Sequence, residues 1–288
     1  MISLIQLRAT YLNLQLAWPD KWPGLPIIFD QCVNQLGWAH SSMSALPQTF
    51  SLYHCSKELA EFIEANGKSQ FDKNQEPAYH SRLHIADAIV GLTALLLAQR
   101  SANDLDVPMQ SHLEMLAMTA MLGHDLMHDG SINTYPAELE TKSIHYLKPF
   151  LTEHLVPGQD IKLIEKIILM TDPAKVSLHH RSIKNIFFDI QVADCLGVLL
   201  QEADILASCF EDIGRVRTLL LAKEWSHRFP SESNHLTTPH GRLSFLKTNA
   251  QFSSPASDIL GIPEIVKSQM QSIQNFLSKP LGQKVGAR

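Results

Sequence analysis

Cysteine is scarce in this chain of 288 residues: there are four, Cys32, Cys55, Cys195 and Cys209, with no Cys-x-x-Cys pair. So sparse a set excludes a disulfide scaffold, shows no thiolate metal site and suits reduced thiols. Clustered basic charge is missing as well. Lys and Arg number 24 against 29 Asp and Glu, for a net charge of −5, and they are scattered. That leaves no basic stripe for nucleic acid or for an anionic membrane surface. The first twenty residues lack the basic-then-apolar order of a secretory leader. The longest apolar run, Ala88 to Ala98, is about half of what spans a bilayer. The chain therefore reads as cytoplasmic, with no nucleic-acid or membrane partner; its oligomeric state is not legible. Strand patterns are rare too, since β-branched alternation over four to eight residues is hard to find.

What is present is helical periodicity. Hydrophobic residues make up 45% and charged residues 18%, ordinary for a globular chain able to bury a large core. The stretches from His84 to Arg100 and from His112 to His128 are apolar almost all round, as in helices buried within a bundle. The segments at 161–170 and 187–225 have the same character. These features predict an all-α fold, a compact multi-helix bundle. Breaks fall at 17–26, 64–78, 103–109, 156–160, 171–175 and 228–241, and no internal repeat or low-complexity linker is found. Residues 1–76 are expected to be an N-terminal helical region, either a subdomain or the first helices of the same fold. Residues 77–262 would form the main domain and 263–288 a C-terminal helix and tail.

Residues 121–130, MLGHDLMHDG, place four ionisable groups in a run apolar enough for core. Burying unpaired charge is costly, so the stretch is a helix end or awaits a cation. His124 and His128 are four apart, with Asp125 beside the first. In YHSRLHIADA (79–88), His80 and His84 repeat that spacing, which on a helix puts both on one face. Asp194 sits in a further apolar helix. One such pair among 14 histidines arises by chance; two pairs with an adjoining and a downstream carboxylate suit a divalent metal inside a helical bundle.

These segments resemble the HD-domain phosphohydrolases, and within them the catalytic domain of class I 3′,5′-cyclic-nucleotide phosphodiesterases in its bacterial-type form. YHSRLHIADA is similar to the family's Y-H-N-x-x-H-A-x-D-V, and GHDLMHDGSIN to H-D-x-x-H-P-G-x-x-N. ILMTDPAKV resembles I-L-A-T-D-M-x-x-H, and VADCLG holds the place of a later metal-binding Asp. The resemblance covers 79–200 well and 200–260 loosely. It implies that His84, His124, Asp125 and Asp194 bind a first metal, zinc, with Asp125 bridging to a second, magnesium or manganese. It makes His80 the general acid, His128 the residue that orients the nucleophilic water, and Glu140 or Glu138 a supporting carboxylate. Gln251 and Phe252 would grip and stack the base, with Phe245 as another candidate ring.

Ser81 in place of Asn, Asp129 in place of Pro, Lys142-Ser143 in place of a His pair, and Val176 in place of His depart from the pattern. The implied activity is hydrolysis of a cyclic nucleotide to its 5′-monophosphate. Two alternatives stand beside it: an HD-type nucleotidase acting on monoesters, and a non-catalytic helical protein that senses nucleotides. His80, which has no metal to bind in this scheme, speaks for catalysis.

Overall fold

The computed structural model describes residues 2–38, 47–102 and 105–279. Among the described residues the chain is all-α, as its periodicity predicts, with fourteen α-helices and no strand. The first three are α1 (Leu4–Ala17), α2 (Leu25–Gln35) and α3 (Pro47–Asp72). The next four are α4 (Arg82–Gln99), α5 (Val107–Gly123), α6 (Glu138–Glu153) and α7 (Gly158–Leu169). A 3-10 turn (Pro173–Lys175) leads into α8 (Val176–Ser182), followed by α9 (Ala193–Cys209) and α10 (Glu211–Trp225). Last come α11 (Pro230–Leu236), α12 (Pro239–Thr248), α13 (Pro255–Leu260) and α14 (Ile262–Ser278).

Local chemistry sets many of these ends. Ser3 and Gln6 form a reciprocal capping box at α1, and the Asp106 side chain accepts from Met109 N at the start of α5, satisfying one of the free donors of the first turn. Helix α4 is apolar on every face because it is surrounded: α9, α2, α13, α1 and α5 all pack on it. Buried residues therefore occupy nearly its whole length. Its tightest neighbour is α9. At Gly91 a Cβ would lie 3.1 Å from the Ala203 carbonyl and 2.7 Å from Tyr11 Oη, so the missing side chain is what lets the two backbones approach. Helix α3 packs on α5, and α2 bridges α3 and α4. The apolar core runs from Leu7 in α1 to Val266 in α14.

Several sequence expectations are corrected here. No break occurs at 64–72: α3 runs through Asn66 and Gly67 to Asp72. Gly67 serves a close approach rather than a turn, because a Cβ there would meet the Arg82 side chain at 2.7 Å. The apolar stretch 187–225 is not one helix: it starts at Ala193 and is cut at Phe210, which caps α9 and opens α10 in an extended conformation. The expected break at 103–109 falls partly outside the described residues (103 and 104), and α5 starts within it, at Val107. Of the expected tail, 280–288 lie outside the described residues.

Candidate active site

Antiparallel packing of α4 and α9 brings the first turn of α4 beside the last turns of α9, and the end of α5 closes the same spot. His84 comes from α4, His124 and Asp125 from the end of α5, and Asp204 from α9. His84 Nε2 lies 3.1 Å from both Asp125 Oδ2 and Asp204 Oδ1, and His124 Nε2 lies 3.3 and 3.6 Å from the same two oxygens. Yet neither imidazole nitrogen has a hydrogen-bond partner, and both are buried. His124 Nδ1 donates to the Met121 carbonyl at 2.7 Å, which leaves the Nε2 lone pair facing two carboxylates.

That spacing fits a cation. Ligand atoms about 2.1 Å from one ion stand roughly 3.0–3.4 Å from each other, close to the separations seen here. Two imidazoles and two carboxylates are also a donor set suited to zinc or a similar divalent metal. Without a cation the groups compensate one another. Burial opposes charge on His84, but Asp125 and Asp204 outweigh it and raise its pKa to about 9. His124 rises in the same way. Burial also opposes ionisation of Asp125 and Asp204, yet the two imidazoles hold both well below the usual carboxylate range.

Asp194, expected in this cluster, is not there. It sits in the first turn of α9, 44% exposed, with its carboxylate 2.7 Å from Lys166 Nζ. Because α9 runs antiparallel to α4, only its C-terminal end can face His84, and Asp204 is the carboxylate at that end.

His80 and His128 line a small cavity that Asp125 also borders. Their placement is not helical as expected: α4 begins at Arg82 and α5 ends at Gly123. His80 is instead held by Glu224 of α10, which sequence reasoning missed. Glu224 Oε1 lies 2.5 Å from His80 Nδ1, and Oε2 accepts from the backbone N–H of Tyr79 and His80 at 2.7 and 3.1 Å. Although burial alone would raise it, these bonds keep the Glu224 carboxyl below its ordinary value. Gly130, with φ +74°, lets the loop pass Glu224, since a Cβ there would sit 2.9 Å from its Cγ. No spacing rule links residues 144 positions apart, so Glu224 carried no sequence signal.

The His128 ring stacks on His80 with centroids 3.7 Å apart and planes at 20°. Its Nδ1 accepts from Gly130 N at 3.0 Å, which puts its proton on Nε2. Burial first, and His80 second, push its pKa down to about 4. Met127 and Ala137 take left-handed conformations on either side of this loop, at φ 63° and 56°, the kind of strain that functional sites hold.

Of the two candidate glutamates, Glu140 is the one turned toward the cluster. It is buried, receives the Asn133 side-chain amide at 3.0 and 3.3 Å, and feels Asp172 and Asp125. Burial is the main cause of its raised pKa. Glu138 instead pairs with Lys142 and caps Thr134. Asp172, from the TDPAK segment, is buried and accepts from Ala137 N and Ala174 N. Gln251 lies elsewhere: it donates to Thr248 O and Ser177 Oγ and lines a cleft that contains no member of the cluster. Phe252 packs against the core, and the Phe245 ring lies under Arg242.

The same arrangement of helices is found in a protein of solved structure. The phosphodiesterase domain of the RhoPDE fusion protein from the choanoflagellate Salpingoeca rosetta superposes with a TM-score of 0.61. The match covers 91% of this chain and 96% of that one at 15% sequence identity. The chain has a phosphodiesterase-domain fold. No family profile matches the sequence, and no curated protein does.

Proposed function

We propose that this chain is a metal-dependent phosphodiesterase that hydrolyses a 3′,5′-cyclic nucleotide to the 5′-monophosphate. One observation carries the reading: two imidazole nitrogens and two carboxylates converge at 3.1–3.6 Å with both nitrogens lacking hydrogen-bond partners. A third histidine, His80, stands beside them with its own carboxylate. His84, His124, Asp125 and Asp204 would hold the first metal, zinc, and Asp125 would share a second, magnesium or manganese, with water. Divalent cations in this position supply charge to the phosphoryl oxygens and make water nucleophilic near neutral pH.

The rest of the chemistry belongs to side chains. Hydrolysis forms one P–O bond with water and breaks the P–O3′ bond, so the departing 3′ oxygen needs a proton. In this reading His80 gives it. With Nδ1 engaged by Glu224, the deliverable proton is the one on Nε2, and Glu224 fixes both tautomer and ring plane. His128, neutral and with its proton on Nε2, orients water or a phosphoryl oxygen from the other side of the stacked pair. Glu140, held by the Asn133 amide and close enough to feel Asp125, offers a carboxyl that would take the proton water loses. The apolar bundle excludes bulk water, which strengthens each of these interactions.

The experiment is a panel of cyclic nucleotides and 5′-monophosphates, read for product, on the parent chain and on His80→Ala. Monophosphate should form from the cyclic substrate without release of inorganic phosphate. His80→Ala should lower turnover by roughly 10²–10⁴-fold with metal content unchanged, and a nitrophenyl ester, whose leaving group needs no proton, should be spared most of that loss. Phosphate release from monophosphates would favour the nucleotidase instead. Equal losses on both substrates would remove His80 from the acid role.

A further inference from the structure

A second cleft, of about 630 Å³, opens between α8 and the segment leading into α13. Its walls carry His180, Arg181, Lys184, Phe187, Ser253 and Asp258. It is well separated from the His/Asp cluster. Ala102, which also lines it, lies beyond the far end of α4, and the helix from His84 to Gln99 alone spans about 22 Å. It also faces the other side of α9. The backbone N–H groups of Ser253 and Ser254 bond Glu202 at 2.6 and 2.8 Å, and Glu202, two positions before Asp204, points about 200° away from it around the helix.

The chemistry of the walls is unbalanced in a way that points to a ligand. His180 is 4% exposed; its Nδ1 sits 2.8 Å from Ser253 Oγ, and its Nε2 is buried with no partner. Arg181 makes one bond, from Nε to the Ser177 carbonyl, and among the described residues neither it nor Lys184 has an ion-pair partner. Phe187 leaves 77% of its surface uncovered. Asp258 supplies one carboxylate on the opposite wall. Two unpaired cations call for an anion, a guanidinium being suited to phosphate. An uncovered ring calls for a planar partner, and a carboxylate accepts from an amino group. The volume is within the range of small-molecule sites.

We propose that this cleft binds a nucleoside monophosphate, with the phosphate on Arg181 and Lys184, the base against Phe187 and one hydrogen bond from His180 Nε2. The site does not rest on the hydrolytic reading and is tested by binding alone. The probes are AMP, GMP, adenosine and inorganic phosphate, titrated by calorimetry into the full chain carrying Asp125→Asn, so that turnover plays no part. One equivalent of AMP or GMP should bind saturably, and adenosine and phosphate should each bind at least tenfold more weakly. Arg181→Ala and Lys184→Ala should weaken nucleotide binding about tenfold each, and Phe187→Ala about tenfold or more, the usual worth of a base stacked on an aromatic ring. All three side chains are exposed, so these variants keep the fold, and circular dichroism checks it. Absence of saturable binding, binding indifferent to the three substitutions, or phosphate binding as tightly as AMP would each overturn the assignment.

Discussion

The first turn of α4 carries two buried ionic sites two residues apart, and they are built on opposite plans. Arg82 is matched within the chain: its Nε and Nη2 reach the two Glu76 oxygens at 2.9 and 3.0 Å, Nη1 reaches Glu64 at 2.5 Å, and the guanidinium lies over Trp18. Nothing is left over for a ligand. At His84 the groups converge without hydrogen-bond geometry and leave two nitrogens bare. The first site ties α3 to α4 and is complete; the second has the spacing and the bare nitrogens that a cation would satisfy. Buried charge alone does not mark function; the unfilled valence does.

The sharpest way to break this contrast is Asp204→Ala. Metal content should fall and cyclic-nucleotide hydrolysis should drop by about 10³-fold or more, since several kcal/mol of charge stabilisation go with the ion. Elemental analysis with a turnover assay checks both, and full metal retention would dissolve the distinction. Arg82→Ala should do the reverse. Stranding Glu76 and Glu64 should cost about 3–5 kcal/mol of stability, read by denaturant unfolding, while metal per folded chain stays unchanged.

A second comparison sets His84 against His180. Carboxylates raise the first, whereas burial, with His179 nearby, pushes the second down to about 4. The unfolded value of His180 is about 6.5, so between these limits the unfolded chain binds the extra proton. His180 therefore favours folding above pH about 6.5, and that contribution is lost as pH falls toward 4. His180→Gln should flatten the slope of stability against pH by up to one proton across this window, measured by urea melts at successive pH values. The smallest effect belongs to Asp194→Ala. Its pair with Lys166 is exposed, worth about 1 kcal/mol or less, and hydrolysis should be unaffected. A loss as large as that of Asp204→Ala would reverse the assignment of the two aspartates.

The fold class was legible because helical periodicity survives in nearly every segment. The HD pair was legible because polar residues in an apolar run demand a reason. Asp204 was not, since Ala193-Asp194 and Ala203-Asp204 look alike in one apolar stretch and only the antiparallel course of α9 chooses between them. The helical reading of His80–His84 and His124–His128 failed because spacing is blind to helix ends: the start of α4 after Ser81 falls between the first two, and α5 ends at Gly123, just before the second two. Glu224 was out of reach, its partner being 144 residues away. The break expected over 64–78 began too early because it misread Gly67, whose purpose is to admit Arg82.

The four cysteines that opened the reading acquire a different use once their places are known. Cys32 and Cys55 lie in α2 and α3, Cys195 and Cys209 in α9, and all four are buried. Burial pushes the thiols of Cys32, Cys55 and Cys209 up to about 12, and that of Cys195 upward as well. Native thiols so placed are unreactive, and an alkylating reagent modifies each only when its helix opens. The chain thus carries its own pair of clocks. Mass-resolved alkylation would time the opening of the N-terminal helices on one and of the ligand-bearing helix on the other, and added zinc should slow the second more than the first.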